Sequence, residues 1–364
     1  MIDMEEKRNM MALSLKNEYE ITLKNINIPK FILGINKYAD SLHLFLTRNN
    51  ISLSGFIDDF TDEKMYHNIK IYKMNEISDK NSIIFSCVVD GKPLTAKTRL
   101  EQNGFIHIID YYHLLIAYPQ ELIELDYCSE NRDDINQNIK MYDWVYENLN
   151  DTLSKQTLNL LVDFRYNYDL EVMKFFHFSI ENQYFEDFIK FSKNEVFVDG
   201  GGFDGETTKQ FIKLCPDYQE IYLFEPNPTA ILNAKSNLKD NNSIQYYTKG
   251  LWDENCILKF NNDLGSASKI SETGEISIDV VTLDEMVHGP VHYIKFDLEG
   301  AEYNAIRGAE NTIKCYKPKL AICVYHNQSD FWRIPLLIKQ YRNDYKIFLR
   351  HYTEGILETV MYFI

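Results

Sequence analysis

The 364-residue chain carries 38 Lys and Arg against 54 Asp and Glu, a formal net charge of −16, and 45% of its residues are hydrophobic. That length predicts two domains with ordinary cores. The acidic balance argues against a nucleic-acid binder or a partner of anionic membranes. No apolar run reaches a membrane span, and the opening Met-Ile-Asp-Met-Glu-Glu-Lys-Arg lacks a signal-peptide pattern. The six cysteines show no CxxC spacing, and Cys87 and Cys323 lie in apolar strand-like runs, so the expectation is a reduced, cytoplasmic protein.

Residues 1–28 read as a helical leader. A first α/β domain is expected over 29–118, beginning with the strand Lys30-Phe-Ile-Leu-Gly34. A helix with Tyr38, Leu42, Phe45 and Leu46 on one side follows, then Ile51-Ser-Leu-Ser-Gly-Phe-Ile-Asp-Asp59. Ile69–Tyr72, a helix start near Met74, Ser82–Ser86 and Gly104–Ile109 continue the alternation, which predicts a small parallel sheet of Rossmann type. The turn Gly34-Ile-Asn-Lys-Tyr-Ala-Asp40 lacks the second and third glycines of a dinucleotide fingerprint. With its Phe-Ile-Asp-Asp strand end, the segment is similar to small nucleotide-sugar-modifying domains. Asp58 and Asp59 are its candidates for holding a ribose or sugar hydroxyl, and a degenerate domain that docks a partner or acceptor is the favoured expectation.

Residues 119–192 are read as a helical connector. Tyr142, Val145, Tyr146 and Leu149 recur at helical intervals, as do Leu158, Leu161, Val162 and Arg165. Such residues are usually core. Tyr166, Tyr168, Tyr184 and Phe185 are additionally candidates for stacking on a sugar face.

The second α/β region, 193–364, holds the chemistry. Glu195-Val-Phe-Val-Asp-Gly-Gly-Gly-Phe-Asp-Gly-Glu-Thr207 reads as a buried strand, a glycine turn and a helix start whose N–H groups suit an anionic ligand group. Its Asp199, Asp204 and Glu206 would repel a pyrophosphate yet suit the ammonium and sulfonium of S-adenosylmethionine. A second strand, Glu220–Phe224, delivers Glu225 to its tip, about twenty residues on, where a carboxylate can accept both ribose hydroxyls. Pro226 and Pro228 restrict the turn around Asn227. After a third strand near Ile244–Thr248 comes Lys-Gly-Leu-Trp-Asp253, where Gly250 precedes Leu251 and Trp252, candidates to flank an adenine, and Asp253 is placed for its amino group. Val291-His-Tyr-Ile-Lys-Phe-Asp-Leu-Glu-Gly-Ala-Glu302 then delivers Asp297 to a strand tip, with Glu299 in the turn and Glu302 at a helix start. Lys319–Tyr325 carries His326 at the next tip. Ligands of open α/β sheets bind at the carboxyl ends of the strands, so Asp199, Glu225, Asp297 and His326 are expected to share one rim.

Four ordered motifs, Phe-Val-Asp-Gly-Gly-Gly-Phe-Asp-Gly-Glu-Thr, Leu-Phe-Glu-Pro-Asn-Pro, Ile-Lys-Phe-Asp-Leu-Glu-Gly-Ala-Glu and Val-Tyr-His, resemble the FkbM-type S-adenosylmethionine-dependent methyltransferases over about Tyr184–Ile364. Thr282-Leu-Asp-Glu285 matches the family's Leu-Asp element, while the triple glycine departs from the family's usual spacing. The resemblance implies a class I methyltransferase sheet and O-methylation of a sugar hydroxyl on a nucleotide-activated sugar or surface glycan, within polysaccharide biosynthesis. It implies cofactor contacts from Asp199, Gly200, Gly201, Gly202, Asp204, Gly205, Glu206, Thr207, Glu225, Pro226, Asn227, Gly250, Leu251, Trp252 and Asp297. Asp297 and His326 are the candidate catalytic pair for proton removal. In an alternative, Asp297, Glu299 and His326 hold Mn²⁺ or Mg²⁺ that activates the hydroxyl. A homodimer is compatible with the sequence. Rival readings are a nucleotide-sugar oxidoreductase or epimerase on the first sheet, and a noncatalytic module of a glycan-assembly complex.

Overall fold

The computed structural model describes residues 4–260 and 276–364, so residues 1–3 of the leader and residues 261–275 lie outside the described part. The chain forms two compact units, and it passes between them five times. One comprises residues up to 132, 159–179 and 352–357; the other comprises 133–158, 180–351 and 358–364.

In the first unit, α1 (Met4–Lys24) precedes β1 (Lys30–Leu33), α2 (Lys37–Arg48), β2 (Gly55–Ile57), β3 (Met65–Tyr66), β4 (Ile69–Tyr72) and β5 (Ile83–Ser86). Then come α3 (Pro93–Gln102), β6 (His107–Asp110) and α4 (Tyr111–Ala117). The sheet order is β3-β4-β2-β1-β5-β6; all neighbouring pairs are parallel except β3 with β4. Chain order reverses at β1 and β5, the doubly wound arrangement expected of alternating strands and helices. The amphipathic spacing of α2 buries Tyr38, Ala39, Leu42, Phe45 and Leu46. Phe31, Leu33, Ile57, Ile84, Leu100 and Phe105 form a core beneath the sheet.

Two expectations for this unit change. Asp58 and Asp59 are occupied by the chain itself. Asp58 Oδ1 accepts from the amides of Phe60 (2.8 Å) and Thr61 (3.0 Å), while Asp59 accepts from the Met74 amide at 2.8 Å and pairs with Arg99. Tyr166 and Tyr168 are buried, with Tyr168 among Tyr112 and Phe164 and its hydroxyl donating to Glu124 at 2.9 Å. Rings packed on both sides have no face left for a sugar.

Helices α5 (Asn131–Asn148) and α6 (Thr152–Asn167) follow, with residues 133–158 belonging to the second unit. That unit continues with β7 (Val196–Gly200), α7 (Glu206–Leu214), β8 (Glu220–Phe224), α8 (Pro228–Asn237), β9 (Ile244–Tyr247), β10 (Gly250–Leu251), β11 (Cys256–Phe260) and β12 (Ile276–Val281). Next are α9 (Leu283–Met286), β13 (Tyr293–Phe296), α10 (Glu302–Arg307), α11 (Glu310–Tyr316), β14 (Lys319–Cys323), α12 (Asp330–Tyr341), β15 (Ile347–His351) and β16 (Thr359–Phe363).

Seven strands form one sheet in the order β15-β16-β14-β13-β7-β8-β9, and β10-β12-β11 form a small second sheet. Neighbouring strands from β14 through β9 are parallel, whereas β16 runs antiparallel to both β14 and β15. The central β7 and β13 are buried along their whole length, which explains their short apolar runs without alternation. Phe197 stacks on Tyr293 and Phe211 beneath them. Chain order reverses between β7 and β13, the position at whose carboxyl ends open α/β sheets place their ligands. The antiparallel β16 enters the sheet at that same edge, with Val324 donating to the Thr359 carbonyl at 3.0 Å.

Candidate active site

The turn after β7 is dictated by backbone proximity. Gly201 has φ of +72°, and a Cβ there would lie 1.8 Å from the Asp297 carbonyl oxygen. Only glycine lets the β7 turn lie against the end of β13. The Gly201 and Gly202 amides donate to the Phe224 carbonyl at 2.9 and 3.0 Å, tying the turn to β8. Gly205, also at positive φ, starts α7.

Asp199 is 0% exposed. Its Oδ2 accepts from Thr208 Oγ1 at 2.7 Å, and its Oδ1 pairs with Lys295 Nζ at 3.2 Å. Lys295, itself 2% exposed, also donates to the carbonyls of Gly200 (3.2 Å) and Gly201 (2.7 Å). Burial opposes the charge on Lys295, yet Asp199 and Asp297 outweigh it and hold its pKa above the ordinary value. Sequence reasoning missed this lysine, which sits among apolar strand residues. Thr207 is half-buried at the start of α7, and Thr208 at the next helical position reaches Asp199. Glu206 is exposed and pairs with Lys209 at 2.8 Å, and the half-buried Asp204 accepts from the Glu206 amide at 3.4 Å.

Glu225 stands at the tip of β8, as its position in the sequence predicts. Its two oxygens accept from the Phe203 amide (3.1 Å) and the Asn227 amide (2.8 Å), so its carboxylate has a fixed orientation. Burial raises its pKa, opposed by those two amides. Asn227 caps α8 through the Thr229 and Ala230 amides, with Pro228 in the first turn, so Pro226 and Asn227 shape the turn. Gly250 and Leu251 form β10; Leu251 is buried, with Cδ1 3.1 Å from where a Gly200 Cβ would be. Trp252 is half-buried and donates its amide to Val281 at 2.9 Å. Asp253 pairs with Arg307 at 2.6 Å and accepts from Asn304 at 3.1 Å, so it is already engaged.

The tips of β13 and β14 converge. Asp297 Oδ2 accepts from the Tyr184 hydroxyl at 2.8 Å, and Oδ1 lies 3.7 Å from His326 Nε2. Burial pushes the Asp297 pKa up, but Lys295, His326 and the Tyr184 hydrogen bond win and hold it below the ordinary value. His326 Nδ1 meets Glu302 Oε1 at 2.8 Å, and Nε2 lies 3.5 Å from Glu299 Oε2. Burial lowers the imidazole pKa; the carboxylates of Glu302, Asp297 and Glu299 overcome that and raise it to about 9. These carboxylates favour the protonated imidazole. Glu302 is 0% exposed and also accepts from the Leu298 amide at 2.7 Å.

Two further residues reach this rim from distant parts of the chain. Tyr184, in a left-handed conformation with φ of +70°, turns its hydroxyl to Asp297 rather than presenting its ring for stacking. Phe185 packs its ring near Phe191 and Tyr293. Glu358 immediately precedes β16 and accepts from Gln183 Nε2 at 2.6 Å; burial and the nearby Asp297 charge raise its pKa to about 7.

Glu225 thus presents an oriented carboxylate at the rim, and Lys295, on β13, faces inward to Asp199. Among the described residues no helix is long and apolar enough to cross a membrane.

Residues 199–352 match the family model of the methyltransferase FkbM domain. Of solved structures, the methyltransferase FkbM from Methylobacillus flagellatus aligns over 100% of both chains with a TM-score of 0.73 at 23% identity, a shared fold. Fibrillarin from Aeropyrum pernix, solved with natively bound S-adenosyl-L-methionine, covers 51% of this chain and 74% of its own, with a TM-score of 0.33 at 9% identity. Precorrin-6y C5,15-methyltransferase from Geobacter metallireducens covers 48% and 80%, with a TM-score of 0.30 at 12% identity. No curated protein matches the chain. The strand order, the glycine turn and the family match agree: residues 199–352 are a methyltransferase FkbM domain.

Proposed function

We propose that the chain is an S-adenosylmethionine-dependent O-methyltransferase acting on a sugar hydroxyl, carried by a nucleotide-activated sugar or a surface glycan. The observation that carries the reading is the charge arrangement around the glycine turn. Lys295 is sequestered by Asp199 and two carbonyls, while Glu225 presents an oriented carboxylate at the rim. Near the turn Lys295 and Lys209 are engaged by Asp199 and Glu206, which disfavours a pyrophosphate, while a ribose and a cationic ligand find acceptors. When bound, S-adenosylmethionine supplies a methyl group on a sulfonium.

The chain's own residues do the rest. Glu225 accepts the ribose hydroxyls, and Leu251 and Trp252 border the adenine side. Asp297, its Oδ2 held by Tyr184, accepts the hydrogen bond of the acceptor hydroxyl and points its oxygen at the methyl group. Alignment of this kind contributes roughly 7–11 kcal/mol to such a displacement. The polar rim of Glu299, Gln183 and Glu358 favours a polyhydroxyl acceptor over an apolar one. The oxidoreductase reading is weakened by the first unit, where Asn36 accepts from the Tyr38 and Ala39 amides at 3.0 Å and donates to the Cys87 carbonyl at 2.9 Å. Two of the amides at that helix N-terminus are thereby already engaged by the chain.

Calorimetry tests the reading directly. S-adenosylmethionine should bind with micromolar affinity, about −8 kcal/mol. Glu225→Gln should weaken it by about 1.5–3 kcal/mol, the worth of hydrogen bonds to a charged group. Methyl incorporation into nucleotide-activated sugars and capsular or lipopolysaccharide fragments, read by mass spectrometry, then identifies the acceptor. Undiminished affinity in Glu225→Gln would place the ribose elsewhere.

A further inference from the structure

Two carboxylates of the rim are held by two adjacent residues. Gln183 Nε2 donates to Glu358 Oε2 at 2.6 Å, and the Tyr184 hydroxyl donates to Asp297 Oδ2 at 2.8 Å. The clamp is itself fixed: the Tyr184 amide meets the Tyr362 hydroxyl at 3.0 Å, and its carbonyl accepts from the Tyr293 hydroxyl. Gln183 and Tyr184 are both buried. Tyr184 and Glu358 share a left-handed backbone, at φ of +70° and +67°. Non-glycine residues held in that region are strained, and such strain clusters at functional sites.

Strand order brings the two carboxylates to one edge. Asp297 follows β13, and Glu358 precedes β16, which runs antiparallel on the other side of β14. Both stand at the carboxyl end of β14, with backbones roughly 9–10 Å apart at two strand spacings. Their environments push them in opposite directions. Burial raises the Asp297 pKa, but Lys295, His326 and the Tyr184 hydroxyl outweigh it and leave the group below its ordinary value. Burial and the charges of Asp297 and Glu299 raise Glu358 to about 7, against Gln183 and His326. Tyr184, pushed well up by burial, stays a donor. Carboxyl pairs whose pKa values diverge in this way divide the work: one stays ionised and the other exchanges a proton near neutral pH.

We infer that Glu358 is the general base of the transfer, taking the proton of the hydroxyl that Asp297 orients, with Gln183 as its positioning residue. Glu358 Oε1 has no donor among the described residues, so it is the oxygen open to the acceptor. The hydroxyl hydrogen, accepted by Asp297 on binding, turns to Glu358 as the oxygen attacks. The acceptor oxygen gains the methyl carbon, the electron pair of the broken C–S bond stays on sulfur, and the proton ends on the Glu358 carboxylate. A base whose pKa lies near the working pH combines availability with driving force. This role rests on the methyltransferase reading.

The test uses the full chain carrying carbon-13 at its glutamate carboxyls. The resonance absent from Glu358→Gln belongs to Glu358 and should titrate with a midpoint near 7. Gln183→Leu removes a donor that favours the carboxylate and should move the midpoint upward. Turnover is followed with the nucleotide-activated sugar or glycan fragment that takes up methyl by mass spectrometry. The parent's kcat/KM should rise with pH and level off above the Glu358 midpoint, because the base must be ionised, and the limb should follow the midpoint in Gln183→Leu. Glu358→Gln should bind S-adenosylmethionine as the parent does and lose about 10²–10⁴-fold in kcat; Glu358→Asp, which keeps a carboxyl, should recover part of it. Circular dichroism checks that the variants fold. A Glu358 midpoint near the ordinary 4.5, or parental kcat in a folded Glu358→Gln, overturns the base while sparing the methyltransferase reading. A parent chain that binds no S-adenosylmethionine defeats that reading, and the base with it.

Discussion

Lys295→Met should destabilise the second unit more than most single substitutions. The lysine is 2% exposed and stands 3.2 Å from Asp199, which is itself 0% exposed. Removing the ammonium leaves the Asp199 carboxylate buried with its Thr208 hydrogen bond, and takes a donor from the Gly201 carbonyl and from the Gly200 carbonyl, the latter keeping the Asp297 amide at 3.2 Å. Breaking one side of such a pair costs about 3–5 kcal/mol. For a body of this size that corresponds to a fall in melting temperature on the order of 10 °C. Replacing both charges together, Asp199→Asn with Lys295→Met, should recover much of the loss, giving a coupling of at least about 2 kcal/mol. The three tryptophans, Trp144, Trp252 and Trp332, all fall in the second unit, so urea unfolding followed by tryptophan fluorescence reports on it. A Lys295→Met protein within about 1 kcal/mol of the parent, or a double variant whose losses simply add, would refute a buried ion pair beneath the turn.

Two other substitutions probe the same rim. Gly201→Ala places a Cβ against the Asp297 carbonyl, a backbone clash that no side-chain movement relieves; the expected loss is at least about 4 kcal/mol, in the range of disrupted special backbone sites, and a native near-ultraviolet circular dichroism spectrum would contradict it. Glu358→Gln tests the raised carboxyl of Glu358. A folded-state pKa of about 7, above the ordinary 4.5, means that the parent's contribution from this group is full at low pH and is lost as pH rises through 7. The variant, which has nothing to ionise, should gain in relative melting temperature from pH 5 to pH 8, and a pH-independent difference would show Glu358 to be solvated.

Much of the rim is legible because strand tips are local events. A short apolar run, an acid and a glycine are enough to place Asp199, Glu225 and Asp297, and the run ending in Tyr325 places His326. The roles of these residues are less local. Asp199 stands at its expected tip, but what it faces is Lys295 from a neighbouring strand, in a register no local pattern reveals. Tyr184 comes to Asp297 across 113 positions of chain. Glu358 reaches the rim because β16 runs antiparallel to β14, and hydrophobicity does not encode strand direction. Asp58 and Asp59 look like ligand acids, yet amides and Arg99 meet them first. Tyr166 and Tyr168, additional candidates for stacking on a sugar, are buried in the core.

The five passages of the chain between its units bear on how such a protein can be inherited. A gene fragment for residues 193–364 would carry the seven-stranded sheet but leave behind Ser154, whose Oγ accepts from the Leu349 amide at 2.9 Å, and Asp151, which pairs with Arg350 at 2.7 Å. It would also take away Glu354, the acceptor for the Thr95 amide at 2.7 Å in the other unit. Recombination exchanges contiguous stretches of a gene. Swapping one half for a homologue's would therefore damage both units at once, so the acceptor specificity of this protein is expected to evolve by point substitution rather than by shuffling of parts.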